Sequence, residues 1–411
     1  MTQVKRDKFA SWRPKRIDRF EMQPTAEQAG QKLYTLKNVE RRTYLRLTEK
    51  GRLLWDMLDG EHNVVAILAE SRRLGFPLSV RKLFTFLDLL KGKEMIQAYG
   101  ENANDQASSD LSLGSLGKAL VYREWAIEVG PLIEWLYRHI AWLFYTSPAI
   151  IVLSVLSIAG PLCFIAVMLW NPRAVAAAPH GILHPAAIVL TSLIVVIVHE
   201  GAHAFTTLHF GREAPRSGLM LYYGNVCTFV DTNDIWMCGK DKRVLTSAAG
   251  PFSSWVLGSL ASVLAFSVPY STATPILFQV AAWCFLAALF PLNPIMEFDG
   301  YYMLIDWLEV PHLRRKSFRF IAHELLPRLH SHRPLDRRER AYLIYGLLAL
   351  VFSVISVLMP FYLVLNHAIR EWVGGSGILW ATIPIILAMA LSLMWELITR
   401  ITRWFHSKLQ T

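Results

Sequence analysis

The segment VIVHEGAHAF carries residues that could perform catalysis, with His199 and His203 four positions apart and Glu200 beside the first of them. Because a helix turns once every 3.6 residues, this spacing places both imidazoles on one helical face. In the His-Glu-x-x-His pattern the two histidines bind zinc, and the glutamate is the general base toward a zinc-bound water. We therefore predict Zn²⁺ as cofactor, His199 and His203 as metal ligands, and Glu200 as the catalytic residue.

A catalytic zinc normally has three protein ligands and one open coordination position. The sequence offers two candidates for the third ligand: His209, which lies ten residues after His199, and Asp299 in the segment PLNPIMEFDGYYML. If the helix continues through AFTTLHF, His209 points about 80° or more away from the histidine pair. We therefore predict Asp299 as the third metal ligand.

The residues around Asp299 favour a turn that brings its carboxylate to the metal. Pro291 and Pro294 are expected to break the preceding helix, since proline lacks a backbone N–H. Gly300 permits a close approach of the backbone. Glu297 is a competing carboxylate, which we expect to face solvent or to support the ligands indirectly.

Six apolar stretches, each near the roughly 20 residues that cross a bilayer, must position these groups. They cover approximately residues 148–170, 185–207, 250–269, 273–293, 342–366 and 378–398. The chain is 53% hydrophobic and only 18% charged, whereas soluble domains carry about 25% charged residues. The sequence thus predicts a mainly α polytopic membrane protein with about six transmembrane helices, whose domain covers residues 148–411.

The connections between these stretches alternate between basic and nearly uncharged. Under the positive-inside rule, the second and fourth connections and both termini lie in the cytoplasm of a multi-pass inner-membrane protein. The N-terminal residues contain no apolar segment of the signal-peptide type, which agrees with this topology. The ends of the second and fourth stretches then face the same side, so Asp299 can reach the histidines.

Residues 31–100 predict a small cytoplasmic α+β domain that is winged-helix-like. The runs KLYTL and TYLRL alternate as strands do, and Thr48 and Ser79 are suitable helix N-caps. Basic residues in this domain are mixed with acidic ones, so no nucleic-acid partner is expected.

The flanking segments carry weaker patterns. Residues 1–30 are polar and basic, which predicts a disordered or extended N-terminus, and residues 101–117 are typical of a flexible linker. Residues 118–147 are amphipathic and rich in tryptophan, which predicts interfacial helices at the membrane surface. A buried packing helix is an equal alternative for this last segment.

The motifs HEGAH, SAAGPFSSWVLG and LNPIMEFDGYY, in this order, resemble the site-2 protease family of membrane zinc metallopeptidases. The resemblance covers roughly residues 148–310. The DGYY ending and the VDTND segment are most similar to the bacterial peptide zinc metalloprotease branch of that family. The resemblance implies zinc held by His199, His203 and Asp299, with Glu200 as base. It also implies cleavage of a substrate helix or peptide near the cytoplasmic membrane face.

Two positions depart from the family pattern. Pro291 stands where the family has the asparagine of Asn-x-x-Pro, with Asn293 close by, and Ser254 stands where it has the asparagine of Gly-Pro-x-x-Asn. In the family these asparagines help to hold the substrate strand or the transition state. Asn293 and Ser254 are therefore the candidate substrate-binding residues here.

The segment LTEKGRLLWDMLDGEHNVVAIL is similar to the small leader-peptide-recognition domain of ribosomal peptide maturation pathways. That similarity implies a domain that binds a peptide by adding a strand to a sheet edge. The alternative is a winged-helix module with a regulatory or packing role.

Two functional hypotheses follow. The first is a zinc metalloendopeptidase embedded in the lipid bilayer, which hydrolyses a peptide or a transmembrane-helix substrate. The alternative is a non-catalytic accessory subunit of a peptide maturation or export complex that retains a structural zinc site. A transporter is disfavoured, because the other apolar stretches contain few polar residues. The four cysteines fit neither a zinc knuckle nor a disulfide framework.

Overall fold

The computed structural model describes residues 12–28, 31–97, 122–171, 183–222, 225–268, 273–331 and 334–374. Over these residues the protein is mainly helical with two small three-stranded sheets, so the predicted mainly α class is confirmed. The chain forms two compact units. The first contains the described residues up to 97 together with Phe210–Glu213 and Thr232–Arg243, and the second contains the other described residues.

The first unit has an antiparallel sheet followed by three helices. In chain order these elements are β1 (Phe20–Gln28), β2 (Gln31–Asn38), β3 (Thr43–Thr48), α1 (Glu49–Asp56), α2 (Val64–Arg73) and α3 (Val80–Gly92). Thr48, Asn63 and Ser79 precede the three helices, and each side chain accepts a hydrogen bond from a backbone N–H of the first turn. The predicted strands and the caps at Thr48 and Ser79 are confirmed.

Trp55 lies at the centre of the first unit's core and is fully buried. The ring of Phe20 meets it edge-on at a centroid distance of 5.3 Å, and Met22 packs against the same core. Both residues belong to β1, so Phe20–Gln28 is an extended strand within the first unit's sheet, although residues 1–30 were predicted as a separate disordered or extended N-terminus. The strand forms because its apolar side chains are buried by helices that come later in the sequence.

The first unit also buries an ionic cluster around Asp234. The Lys37 ammonium lies 2.7 Å from Asp234 Oδ1, and both side chains are only 3% exposed. The Tyr44 hydroxyl donates to Oδ1 at 2.9 Å, and the Glu213 backbone N–H donates to Oδ2 at 3.0 Å. Such complete hydrogen bonding offsets the cost of removing the two charges from water.

The remaining helices include the long apolar ones. In chain order they are α4 (Gly130–His139), α5 (Ser147–Trp170), α6 (Leu183–His209), α7 (Lys240–Ser267), α8 (Ala273–Leu289), α9 (Asp299–Trp307), α10 (Leu313–Arg319), α11 (Leu325–His330) and α12 (Arg337–Gly374). Within the described chain, three helices are long and apolar enough to cross a membrane: α5, α6 over its part Val189–His209, and α7. Helix α8 is also apolar but shorter. The predicted fifth stretch falls within α12, and the sixth lies outside the described residues.

The second unit contains a sheet that the sequence analysis did not predict. Its strands are β4 (Tyr122–Glu128), β5 (Arg216–Tyr222) and β6 (Asn225–Val230), paired antiparallel in the order β4–β5–β6. The prediction of helices throughout 118–147 is therefore wrong for β4. Glu124 and Glu128 lie on one face of the strand and Trp125 and Ile127 on the other, and β5 supplies the hydrogen-bonding partner from far along the chain. The predicted linker, 101–117, lies outside the described residues.

Candidate metal centre

Two helices of the second unit bring three potential ligands together. His199 and His203 lie one turn apart on α6, with ring centroids 4.9 Å apart. Asp299 is the first residue of α9. Its Oδ2 lies 3.0 Å from His199 Nε2, and its Oδ1 lies 3.4 Å from His203 Nε2. The ligand atoms of the three residues all lie within 4.8 Å of one another, so this cluster could hold a metal ion.

The turn before Asp299 depends on proline and glycine. Helix α8 ends at Leu289, just before Pro291, as the sequence predicted. The Gly300 backbone N–H donates to the Pro291 carbonyl at 2.8 Å. A Cβ at Gly300 would overlap the Leu292 carbonyl group, so a residue with a side chain does not fit here. The turn therefore requires glycine immediately after the ligand.

Helix α7 holds both histidines from behind. Thr246 and Ser254 are separated by two helical turns, so they lie on one face of α7. The Thr246 carbonyl accepts a hydrogen bond from His203 Nδ1 at 2.7 Å, and Ser254 Oγ lies 3.1 Å from His199 Nδ1. These contacts leave both Nε2 atoms directed at Asp299. Proteins usually orient metal-binding histidines in this way, through a hydrogen bond at the ring nitrogen that does not bind the metal.

Gly250 lies between Thr246 and Ser254 on the same face of α7. A Cβ at this position would overlap His203 Nε2 and would lie 2.6 Å from His199 Nε2. The backbone of α7 can approach the two nitrogens only because Gly250 has no side chain. Only a residue without a side chain therefore fits where α7 packs against the two histidines.

The protonation pattern of the cluster also favours a cation. A carbonyl oxygen can only accept, so His203 Nδ1 is the donor toward Thr246, and a neutral ring then presents a lone pair at Nε2. Burial raises the pKa of the Asp299 carboxyl, but when His199 and His203 carry protons at Nε2 their hydrogen bonds and charge lower it more, to about 2. A lone pair and a carboxylate that face each other are stabilised by a proton or a metal ion between them.

Two distances, each from a different carboxylate oxygen of Asp299 to an imidazole nitrogen, are compatible with a tetrahedral metal ion. Zinc bonds of about 2.0–2.1 Å at tetrahedral angles place ligand atoms about 3.3 Å apart. The two distances from Asp299 to the imidazole nitrogens, 3.0 and 3.4 Å, lie on either side of that value. Two imidazole nitrogens and one carboxylate oxygen are also a donor set that suits Zn²⁺.

Glu200 has a partner that sequence analysis missed. The Thr228 hydroxyl, on β6, donates to Glu200 Oε1 at 3.1 Å. The signal that could have located β6 is the segment LMLYYGNVCTFV, in which a Gly-Asn pair separates two runs rich in β-branched and aromatic residues. The contact orients the carboxylate of the predicted general base.

His209 lies elsewhere in the second unit. Its Nδ1 is 3.0 Å from the Tyr137 hydroxyl, and its ring stacks on Tyr145 at a centroid distance of 4.3 Å. Helix α6 continues to His209. The sequence argument against His209 as a ligand assumed this continuous helix. The metal cluster found among the described residues does not include it.

The other predicted site residues have different neighbours. Ser254 is fully buried behind His199, so its hydroxyl supports a metal ligand. Asn293 Oδ1 accepts the backbone N–H of Ile295 at 2.9 Å and stabilises the turn before Asp299. Glu297 is partly buried and is not among the three described residues that form the metal cluster. The roles of Ser254 and Asn293 in substrate binding stay predictions.

No protein-family model, curated protein or solved structure matches this chain.

Proposed function

We propose that this chain is a membrane-embedded zinc metalloprotease of the site-2 protease type. It would hydrolyse a peptide or a membrane-protein substrate near the cytoplasmic membrane face. The observation that carries the proposal is the convergence of His199, His203 and Asp299, with Glu200 next to His199 on the same helix. Residues 100 positions apart in sequence meet here with the donor set of a catalytic zinc site.

His199, His203 and Asp299 would hold the zinc ion. When bound, zinc would supply Lewis-acid activation of water and of the scissile carbonyl group. Thr246 and Ser254 keep the histidine rings oriented, so the ligands need little rearrangement. Three protein ligands leave a coordination position open for chemistry.

Glu200 carries out the proton transfers of the proposed reaction. Its carboxylate accepts a proton from the attacking water and delivers that proton to the amine that leaves when the peptide bond breaks. The hydrogen bond from Thr228 fixes one carboxylate oxygen and thereby limits the orientations of the side chain. Positioned proton transfer of this kind typically contributes about 10²–10⁴-fold to the rate.

The proposed location is the inner membrane, with both termini in the cytoplasm and the lipid bilayer as a permanent partner. It is supported by the three described helices that are long and apolar enough to cross a membrane. One of them, α6, carries His199, Glu200 and His203, and ionisable groups in such a helix are costly without a function. Zinc binding and catalysis provide that function.

The decisive experiment is the substitution Glu200→Gln in the full-length protein, purified in detergent. Metal content is measured by mass spectrometry, and hydrolysis is measured with a library of internally quenched peptides. We expect about one zinc per chain in the wild type and the variant, because Glu200 is not a ligand. Turnover should fall about 10²–10⁴-fold, since the general base is lost.

Glu297→Gln is the matched control, because it removes the same charge close to Asp299 in sequence. It should keep both zinc and most of the activity. Full activity in Glu200→Gln would remove Glu200 from the mechanism. Wild-type protein that binds zinc but cleaves no peptide would favour the alternative, an accessory subunit of a maturation or export complex with a structural zinc.

The first unit supports a second function, the binding of a peptide by strand addition. In the described sheet β3 pairs with β2 alone, so its other edge is available. A groove runs beside it, lined by Arg46, Leu47, Thr48, Lys50, Gly51, Leu54, Gly75, Phe76, Pro77, Leu78, Lys82, Phe86 and Leu89. We propose that a substrate peptide adds there as a fourth strand.

Hydrogen–deuterium exchange tests this second function. A peptide that the wild-type protein cleaves should slow exchange at the amides of β3 when it is added to the Glu200→Gln variant. Protection confined to residues of the second unit would contradict a peptide site in the first.

A further inference from the structure

Five basic residues of the second unit form an exposed basic cluster. Arg315 and Lys316 lie on α10, and Arg337, Arg338 and Arg340 lie in the first turn of α12. All five are exposed. On α10 Arg315 and Lys316 lie between the buried Leu313 and Ser317 and are themselves exposed, so they occupy the outer side of the helix.

Close packing of α10 and α12 holds these charges near one another. Gly346 of α12 has no side chain, and a Cβ there would lie 3.3 Å from the Cβ of the buried Ser317. Partial desolvation of its amine lowers the pKa of Lys316, and the positive charge of Arg338 lowers it further. Like charges so placed repel each other, and an external anion would relieve that repulsion.

The acidic residues nearby in sequence are engaged elsewhere. Asp336 and Glu339 cap α12 reciprocally: the Asp336 N–H donates to Glu339 Oε2 at 3.0 Å, and the Glu339 N–H donates to Asp336 Oδ1 at 2.6 Å. Glu339 also pairs with Arg328 at 2.7 Å, and Glu324 lies 3.9 Å from Arg319. In the part of the chain that the structure describes, no carboxylate pairs with the basic cluster.

An exposed apolar surface begins where the basic cluster ends. Along α12 the apolar residues with large exposed side chains are Ile344, Leu347, Leu348, Leu350, Val351, Val354 and Ile355. A helix that passes from a cationic end into an exposed apolar surface matches the change from lipid headgroups to hydrocarbon. A soluble anion could neutralise the charges, but it would leave the adjoining apolar surface uncovered.

We propose that the basic cluster is a binding surface for the phosphate groups of anionic phospholipids. The lipid phosphates contact Arg315, Lys316 and the arginines of the first turn of α12, while the acyl chains cover the exposed apolar face of α12. The inference rests on the proposed insertion into a membrane, and it does not depend on peptide hydrolysis.

The test uses the full-length protein in dodecyl maltoside, titrated with phosphatidylglycerol and followed by native mass spectrometry. The variant R315Q/K316Q/R338Q removes three charges from exposed positions. Each removed charge should weaken phosphatidylglycerol binding about fivefold, or about a hundredfold for all three. Binding to the wild type should also weaken as salt is added, and phosphatidylcholine should bind poorly to both proteins.

The matched control is R72Q/R81Q/K91Q, which removes two arginines and one lysine from exposed positions of the first unit. It should bind phosphatidylglycerol as the wild type does. The charge-retaining variant R315K/R338K should keep most of the affinity, which separates loss of charge from misfolding.

Two results would overturn the inference. One is an affinity of the R315Q/K316Q/R338Q variant for phosphatidylglycerol that equals the affinity of the wild type. The other is competition by inorganic phosphate or by a short oligonucleotide as effective as that by the lipid itself. Failure of the wild-type protein to associate with liposomes of any composition would instead reject the proposed membrane insertion.

Discussion

Two carboxylates, one in each unit, lie among ionisable partners with opposite chemistry. Asp234 of the first unit faces the Lys37 ammonium, the Tyr44 hydroxyl and a backbone N–H, all of which are hydrogen-bond donors. Asp299 of the second unit faces the Nε2 atoms of His199 and His203. The opposite ring nitrogens of these histidines are already held by Ser254 and Thr246.

The difference separates a structural charge from a functional one. Around Asp234 every neighbour supplies a proton, so the carboxylate is satisfied within the protein. Around Asp299 the neighbours can present lone pairs, so the cluster is complete only when a proton or a metal ion joins it. The Asp234 side chain is 3% exposed and that of Asp299 22%, but it is the identity of the facing atoms that separates their roles.

The largest expected effect comes from Asp299→Ala, which should remove most of the metal binding. Zinc sites in small proteins have apparent binding free energies of about 10–16 kcal/mol. One of three protein ligands then accounts for about 4 kcal/mol, or about 10³-fold in affinity. The measurement is zinc competition with a fluorescent chelator. His209→Ala is the control and should bind zinc as the wild type does. Normal zinc affinity in Asp299→Ala would contradict the functional role of Asp299.

Asp234→Ala should act on folding instead, because it removes the nearest counter-ion of the buried Lys37 ammonium and leaves only Glu213 Oε1, at 3.7 Å. Removing one partner of a buried ion pair costs about 3 kcal/mol or somewhat more. Urea denaturation followed by fluorescence would measure the loss in the free energy of unfolding. The double variant Lys37→Met/Asp234→Leu should recover much of it, since both charges are then removed. Unchanged stability in the single variant would contradict the structural role of Asp234.

Ser254→Ala should have the smallest effect, since it removes support from a ligand rather than the ligand itself. Loss of such indirect support typically weakens metal binding about 10–100-fold. Ser253→Ala is the matched control, because the Ser253 hydroxyl donates to the Gly250 carbonyl in the same helix. Equal zinc affinities in the two variants would show that the contact with His199 does not orient the ring.

Local spacing was enough to predict part of the site. The separation of His199 and His203 determines their shared helical face. The choice of Asp299 needed a topological argument, because 100 residues separate it from His199. No local pattern could reveal the contacts of Thr228, Thr246 or Ser254, since they depend on how separate elements pack.

The same limit explains the errors in the fold. Helix caps such as Thr48 and Ser79 are local interactions, and the sequence located them correctly. Strand β4 pairs with β5, which lies some ninety residues later, so its amphipathic sequence was assigned to helices. Strand β1 was missed because Phe20 and Met22 are ordered by packing against the core around Trp55. The polar and basic composition of residues 1–30 does not reveal that packing.

The ionic cluster of the first unit has a consequence for biosynthesis. Tyr44 and Asp234 are 190 residues apart, and ribosomes add about 5–20 residues per second, so their synthesis is separated by about 10–40 s. Throughout that interval the nascent N-terminal strands lack the carboxylate that Lys37 and Tyr44 require. The N-terminal strands of the first unit are therefore translated well before its last segment, and the unit completes its fold only after Thr232–Arg243 has left the ribosome.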